Sequence, residues 1–187
     1  MSSQSDIATK ENLKLLLTGD LPLRIAQDMC RISTKDEDRF QKYVEILQEM
    51  VPWKDQILVR MSEHLFVVRK ADGQRVVKCD CGHEYGDYRV NWKLNSLVYA
   101  RRTQEEIAEV FTTVAPDANY VEIREFYCPG CQAQLAVEVV PRGYPIVFEV
   151  LPDIDGLYET EGKPLPDADK KWYQDLTGQQ TAKWAKE

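Results

Sequence analysis

Phe40, Tyr43, Val44, Leu47 and Val51 follow one another at the i, i+3, i+4, i+7 and i+11 spacing of a single helical face, predicting an amphipathic helix from about Asp36 to Val51. Ser33, Thr34 and Asp36 supply candidate N-cap oxygens, Pro52 stops the helix, and Trp53 follows as a bulky anchor. Upstream, leucines 13, 15, 16 and 17 ahead of Gly19 predict a short helix, and Pro22 opens a second that runs to about Cys30. Helices this short are marginal alone in water, so their leucine-rich faces need a partner surface in this chain or another. Cys30 has no Cys or His near it and reads as a small buried apolar side chain.

After Trp53 the period changes to that of strands. Ile57–Met61 and Leu65–Arg69 read as strands, Ala71-Asp72-Gly73 as a hairpin turn, and Arg75–Lys78 as the return strand that delivers Cys79. A second hairpin arm is predicted later, with Tyr120–Tyr127 running into Cys128 and Gln134–Val140 running out of Cys131. Between the arms lie Asn91-Trp92-Lys93-Leu94 and a helix from Gln104 to Phe111 capped by Thr103, with Ile107, Val110 and Phe111 facing inwards. From Pro141 the chain is rich in proline yet also in aromatic and aliphatic residues. That pattern predicts an extended arm, laid either on a partner or on this chain's own sheet. The last stretch, with Trp172, Tyr173 and Trp184 among charges, is read as irregular or ending in a short helix.

These elements sum to an α+β fold: N-terminal helices packed on a zinc-ribbon-like antiparallel β domain, with a helical insertion and an extended C-terminal arm. The expected division is 1–52 for the helices, 53–143 for the β domain with its insertion at about 88–118, and 144–187 for the arm. With 187 residues, 43% of them hydrophobic, the chain can bury one sizeable core. A net charge of −7, with basic residues running at most in pairs, argues against a nucleic-acid binder. No run of 18 apolar residues appears and Met1–Lys10 is polar and charged, so we expect a cytoplasmic protein with reduced thiols and no membrane span.

The candidate chemistry lies in two cysteine pairs, Cys79-Asp80-Cys81-Gly82-His83 and Cys128-Pro129-Gly130-Cys131, each at the tip of a predicted hairpin. Thiolates so spaced can converge on one tetrahedral zinc, and four sulfurs leave no open position for water or substrate, which makes the expected metal structural. A disulfide, a redox thiol pair, an iron site and no metal at all are the alternatives. Forty-six residues separate Cys81 from Cys128, so a folded insertion has to return the second pair. His83 is expected just outside the metal shell, where an imidazole can hydrogen-bond a thiolate or a carbonyl. No phosphate-binding glycine loop, dinucleotide fingerprint, H-E-x-x-H helix or G-x-S-x-G elbow occurs, and there are only two histidines, His64 and His83, so no catalytic constellation is assigned. Asp153 and Asp155, beside a Pro and a Gly, read as turn formers.

Several motifs occur together and in order: Tyr43-Val44-Glu45-Ile46-Leu47-Gln48-Glu49 with Pro52-Trp53, Cys79-x-Cys81-Gly82-His83, Asn91-Trp92-Lys93-Leu94, Arg124-Glu125-x-Tyr127-Cys128-Pro129-x-Cys131 and Pro152-Asp153-Ile154-x-Gly156-x-Tyr158. From about residue 36 to 160 the chain resembles the gamma subunits of acetone carboxylases. The resemblance implies a complex with two copies each of alpha, beta and gamma chains that carboxylates acetone with bicarbonate to acetoacetate while ATP is cleaved to AMP and phosphate. It implies ATP, magnesium and manganese in the large partner subunits, and zinc in this chain on Cys79, Cys81, Cys128 and Cys131. The rival reading within the resemblance is the equivalent small subunit of an aryl-ketone carboxylase such as acetophenone carboxylase. A stand-alone zinc-ribbon adaptor and a thiol–disulfide regulator are readings of other classes.

Overall fold

The computed structural model describes residues 7–33, 36–111, 113–168 and 170–185. It opens with three helices, α1 (Lys10–Thr18), α2 (Leu23–Arg31) and α3 (Arg39–Met50). Thr9 caps α1 by accepting from the Asn12 N–H, and Gly19 ends it in the left-handed region at φ 81°. Of the N-cap candidates for α3, Thr34 lies outside the described residues; the helix starts after Asp38, whose side chain makes no capping bond. Two faces of α3 are apolar. Ile46 packs against Leu13 and Met29 of the first two helices, while Leu47 packs against the sheet beneath. Leu13 of α1 and Met29 of α2 thus find their partner surface within the chain, while Leu16 and Leu23 stay exposed. Cys30 is exposed, against the sequence expectation: α2 turns Met29 inward and leaves the next position to solvent.

β1 (Gln56–Arg60), β2 (Leu65–Arg69), β3 (Arg75–Cys79) and β4 (Glu84–Asp87) form an antiparallel sheet in sequence order. The turn at Ala71-Asp72-Gly73 closes β2 on β3, with Gly73 at φ 86° and the Asp72 carboxylate accepting from the Gln74 N–H. Both faces of this sheet are covered, which explains its continuous apolar runs. One face, with Ile57, Phe66, Val68 and Val76, lies under α3; the other, with Leu58, Leu65, Val67 and Val77, meets the rest of the chain. β4 is a strand that the sequence pattern did not predict, because Glu84, Gly86 and Asp87 break the apolar alternation and only Tyr85 is buried.

The second sheet has the order β5 (Leu97–Arg101), β6 (Val121–Tyr127), β7 (Gln134–Pro141). The stretch expected as a helical insertion therefore contributes an edge strand. Its helix, α4 (Gln104–Ala108), is shorter than read from the sequence, although Thr103 and Glu106 do form a capping box at its start. Asn91-Trp92-Lys93-Leu94 joins the two sheets. Trp92 sits edge-on between Tyr85 of β4 and Phe126 of β6, and the buried Lys93 ammonium pairs with Glu138 and Glu149.

The C-terminal arm is extended from Pro145 to Pro152 and then forms α5 (Ile154–Thr160) and α6 (Thr177–Trp184). Ile154, Tyr158 and Leu165 bury against the first sheet, and the Tyr158 hydroxyl donates to the Leu58 carbonyl where β1 bulges. Asp153 caps α5 through the Gly156 N–H, in keeping with a turn-forming role. Asp155 does something else: it is buried and grips Arg75 through two hydrogen bonds of 2.9 and 2.7 Å. Among the described residues no helix is long and apolar enough to cross a membrane.

Candidate metal centre

β3 ends on Cys79 and β6 runs directly into Cys128, so the two buried strands deliver the two buried thiols, while Cys81 and Cys131 approach from the exposed side of each turn. All four sulfurs lie within 4.8 Å of one another. The Cys79–Cys131 and Cys81–Cys128 sulfurs are 3.8 and 3.7 Å apart. A disulfide needs about 2.05 Å, whereas a tetrahedron with metal–sulfur bonds of about 2.3 Å has edges of about 3.8 Å. The spacing rules out disulfides between these pairs and is close enough for the four sulfurs to hold one metal ion.

Each turn is shaped to allow this approach. Gly82 takes φ 100° directly after Cys81. At Gly130 a Cβ would come within 3.0 Å of the His83 Cβ and 3.2 Å of the Cys81 sulfur, so the second turn nests against the first only because glycine stands there. Gln132 closes the second turn at φ 63° and donates its N–H to the Cys128 carbonyl. His83 packs edge-on against Tyr85 at 4.9 Å and is not one of the four clustered groups.

The electrostatics suit a cation. Burial pushes the Cys79 and Cys81 thiols up, so thiolates in this place are unfavourable unless a cation compensates their charge. Burial acts on Cys128 too, but the Tyr85 hydroxyl and the N–H groups of Cys131 and Gly130 outweigh it and bring that thiol down to about 7. The Tyr85 hydroxyl is buried with no hydrogen bond formed, so its pull is that of a nearby dipole. A thiolate at Cys128 is the acceptor it lacks. A soft, all-sulfur donor set selects zinc, iron or copper(I) over hard cations.

Three neighbours of the centre escaped the sequence reading. The Trp53 indole N–H donates to the carbonyls of both Cys79 and Asp80, at 3.2 and 2.9 Å. His64 Nδ1 lies 2.6 Å from Asp80, whose other oxygen accepts from the Cys79 thiol at 3.1 Å. Burial alone would raise the Asp80 carboxyl, but His64 and Cys79 hold it below its ordinary 3.8. Tyr85 is the third. The Pro52-Trp53 pair marks a conspicuous anchor in the sequence; the contacts of His64 and Tyr85 arise from strand register, through the pairing of Leu65 with Cys79 and the turn into β4, and had no local signal.

The family model described as acetone carboxylase gamma subunit matches residues 51–161, a span that includes both cysteine pairs and Trp53. The chain is 40% identical over 136 residues to the acetone carboxylase gamma subunit of Xanthobacter autotrophicus, covering 71% of this chain and 81% of that protein. It is also 42% identical over 81 residues to the acetophenone carboxylase beta subunit of Aromatoleum aromaticum, covering 42% of this chain and 63% of that one. This chain, with its four-cysteine cluster held between two antiparallel sheets, belongs to the acetone carboxylase gamma subunit family.

Proposed function

We propose that the protein is the small, structural, zinc-binding subunit of an ATP-dependent acetone carboxylase, with zinc on Cys79, Cys81, Cys128 and Cys131 and no catalytic residue of its own. The observation that carries the structural role is the four-sulfur cluster itself: a shell closed by four thiolates can neither polarise a carbonyl nor activate water. In this reading the catalysed reaction, acetone and bicarbonate to acetoacetate with cleavage of ATP to AMP and phosphate, takes place in larger alpha and beta chains that hold ATP, magnesium and manganese. Two copies of each chain would assemble in the cytoplasm. The three parts expected from the sequence, 1–52, 53–143 and 144–187, belong to the same reading. The apolar surface of the second sheet supports the subunit role. Leu97, Tyr99, Val137 and Val139 are exposed on it, whereas among the described residues no large apolar side chain of β1–β4 is exposed.

Co-expression with the two large chains, followed by size selection, metal analysis and assay with acetone, tests the reading. A stable complex with one zinc per small chain and ATP-dependent carboxylation is the expected result; a chain that never co-purifies, or complexes without zinc, would refute it. Val137→Ser with Val139→Ser should leave zinc content unchanged and reduce the yield of complex. Similarity to the acetophenone carboxylase beta subunit favours one second reading, an aryl-ketone carboxylase, and assaying acetophenone beside acetone separates the two. Cys79→Ser or Cys131→Ser should reduce assembled complex while the remainder keeps product formed per ATP consumed. Fully assembled mutant complex that hydrolyses ATP without product would instead give the zinc domain a direct part in coupling.

A further inference from the structure

We infer that Trp53 is a positioning residue for the metal centre, acting through its indole N–H, and that through it metal binding and the packing of α3 are coupled. The inference rests on the reading that the four cysteines hold zinc.

The first cysteine turn has a single residue between its thiols, so the direction of both sulfurs depends on the orientation of the Cys79 and Asp80 peptides. The Trp53 indole N–H reaches both of those carbonyls. The ring also closes the space over the turn: a Cβ at Gly82 would lie 3.4 Å from Trp53 Cδ1. Trp53 is in turn fixed from the helical side. The Gln48 side-chain amide on α3 donates to the Trp53 carbonyl at 3.4 Å, and its oxygen accepts from the Ile57 N–H at 2.9 Å. Phe66 meets the indole edge-on at 6.0 Å and the Lys78 ammonium lies over it at 5.1 Å. A continuous path therefore runs from α3 through Gln48 and Trp53 to the peptides that aim Cys79 and Cys81. Groups that orient metal ligands from outside the shell commonly change affinity by about 10–100-fold when removed.

Trp53→Phe keeps an aromatic ring against Phe66 and deletes the N–H. Zinc affinity, measured on the full-length chain by competition with a chromogenic chelator, should fall about tenfold or more. Ile46→Ala, which opens the packing between α3 and the first two helices without touching the turn, should lower the unfolding midpoint and, acting on the metal only through that path, weaken zinc binding clearly less than Trp53→Phe does. Equal affinity losses in the two variants, or none in Trp53→Phe, would overturn the inference. A measurement on the unsubstituted chain guards against a variant that does not fold. Hydrogen exchange of the Trp53 indole N–H and of the Ile46–Met50 amides should accelerate together when zinc is chelated; indole protection unchanged by metal removal would refute the coupling. Absence of stoichiometric zinc in the unsubstituted chain would sink the metal reading itself and is distinguishable from all of these.

Discussion

The two cysteine turns face one sulfur cluster with different means of support. The Cys128 turn is closed by its own backbone: the Cys128 N–H donates to the Ala133 carbonyl, the Gln132 N–H returns to the Cys128 carbonyl, and the Gly130 N–H points at the Cys128 sulfur at 3.4 Å. The Cys79 turn has two such internal bonds as well, from Cys79 N–H to His83 and from Gly82 N–H to Cys79, but it adds contacts from elsewhere in the chain. Trp53 holds two of its carbonyls, and the Asp80 N–H donates to the His64 carbonyl. The sheets behind the turns differ in the same sense. β1–β4 is covered on both faces by α3 and by the central core, whereas β5–β7 leaves valines and a tyrosine in water. The first half of the centre is thus built into the body of the protein, and the second is carried on a lobe whose own packing is incomplete. A metal between them would add a tie at the tips to the Trp92 and Phe126 packing that joins the two sheets.

The largest effect should come from cutting that tie. Structural zinc is worth about 10–16 kcal/mol in small zinc-finger peptides. With zinc on the four cysteines, as proposed, chelating it should therefore raise hydrogen exchange in β6 and β7 far more than in β2 and β3. Cys128→Ser should do the same, and Cys30→Ser, at an exposed position, should leave metal content unchanged. Equal loss of protection in both sheets would show that the difference in packing does not translate into a difference in stability.

The body of the first sheet can be attacked independently. The Arg75 and Asp155 side chains are only 6% and 9% exposed and join α5 to β3. Asp155→Ala leaves the guanidinium buried with a weakened set of partners, so unfolding stability should drop by about 3–5 kcal/mol. Zinc affinity should change little, because β3 keeps its pairing with β2 and β4. Chemical denaturation and chelator competition on the same variant measure the two quantities. Acid should more gradually loosen the neighbouring contacts that Asp167 makes with Arg69 and Arg75. Burial raises the Asp167 carboxyl but Arg69 and Arg75 outweigh it, so its pKa in the folded protein lies below the ordinary 3.8. Its stabilising contribution is fully present above about that value and disappears as pH falls through the lower, folded-state pKa. Asp167→Asn should flatten the acid limb of the stability profile, and an unchanged limb would remove Asp167 from the account.

The same contrast explains what was legible in the sequence. The helical face of α3, the β2–β3 hairpin and both cysteine turns follow from local period and turn chemistry, and each is visible within a dozen residues. β4 and β5 were not legible because their pattern is set by what they pair with. β4 is anchored by one buried residue, Tyr85, and β5 exposes Leu97, Val98 and Tyr99 because nothing among the described residues covers them. Long-range partners were equally hidden. Asp155 looked like a turn residue, and only the fold, which brings Arg75 to it across 80 positions, makes it a buried ion-pair partner. Cys30 failed for the opposite reason: its residue type favours burial, but its place on the helix does not.

The smallest effects should distinguish the two turns most cleanly, because both contain a residue at positive φ and only one of them is glycine. Gln132 takes φ 63° in the self-closed turn, a conformation costing a side-chain-bearing residue about 1–2 kcal/mol. Gln132→Gly removes that cost but adds freedom to the unfolded chain, worth about 0.5–1 kcal/mol, so a net gain of under about 1 kcal/mol is expected, with zinc affinity unchanged. Gly82 takes φ 100° in the externally supported turn, and a methyl group there would sit in contact with Trp53 at 3.4 Å. Gly82→Ala should cost about 1–2 kcal/mol and, because the strain falls on the peptides that Trp53 orients, weaken zinc binding as well. Thermal unfolding with and without chelator, run on both variants, reads stability and metal coupling together. If Gln132→Gly also weakens zinc binding, the second turn is not self-sufficient; if Gly82→Ala loses stability with affinity intact, the outside support of the first turn serves folding alone.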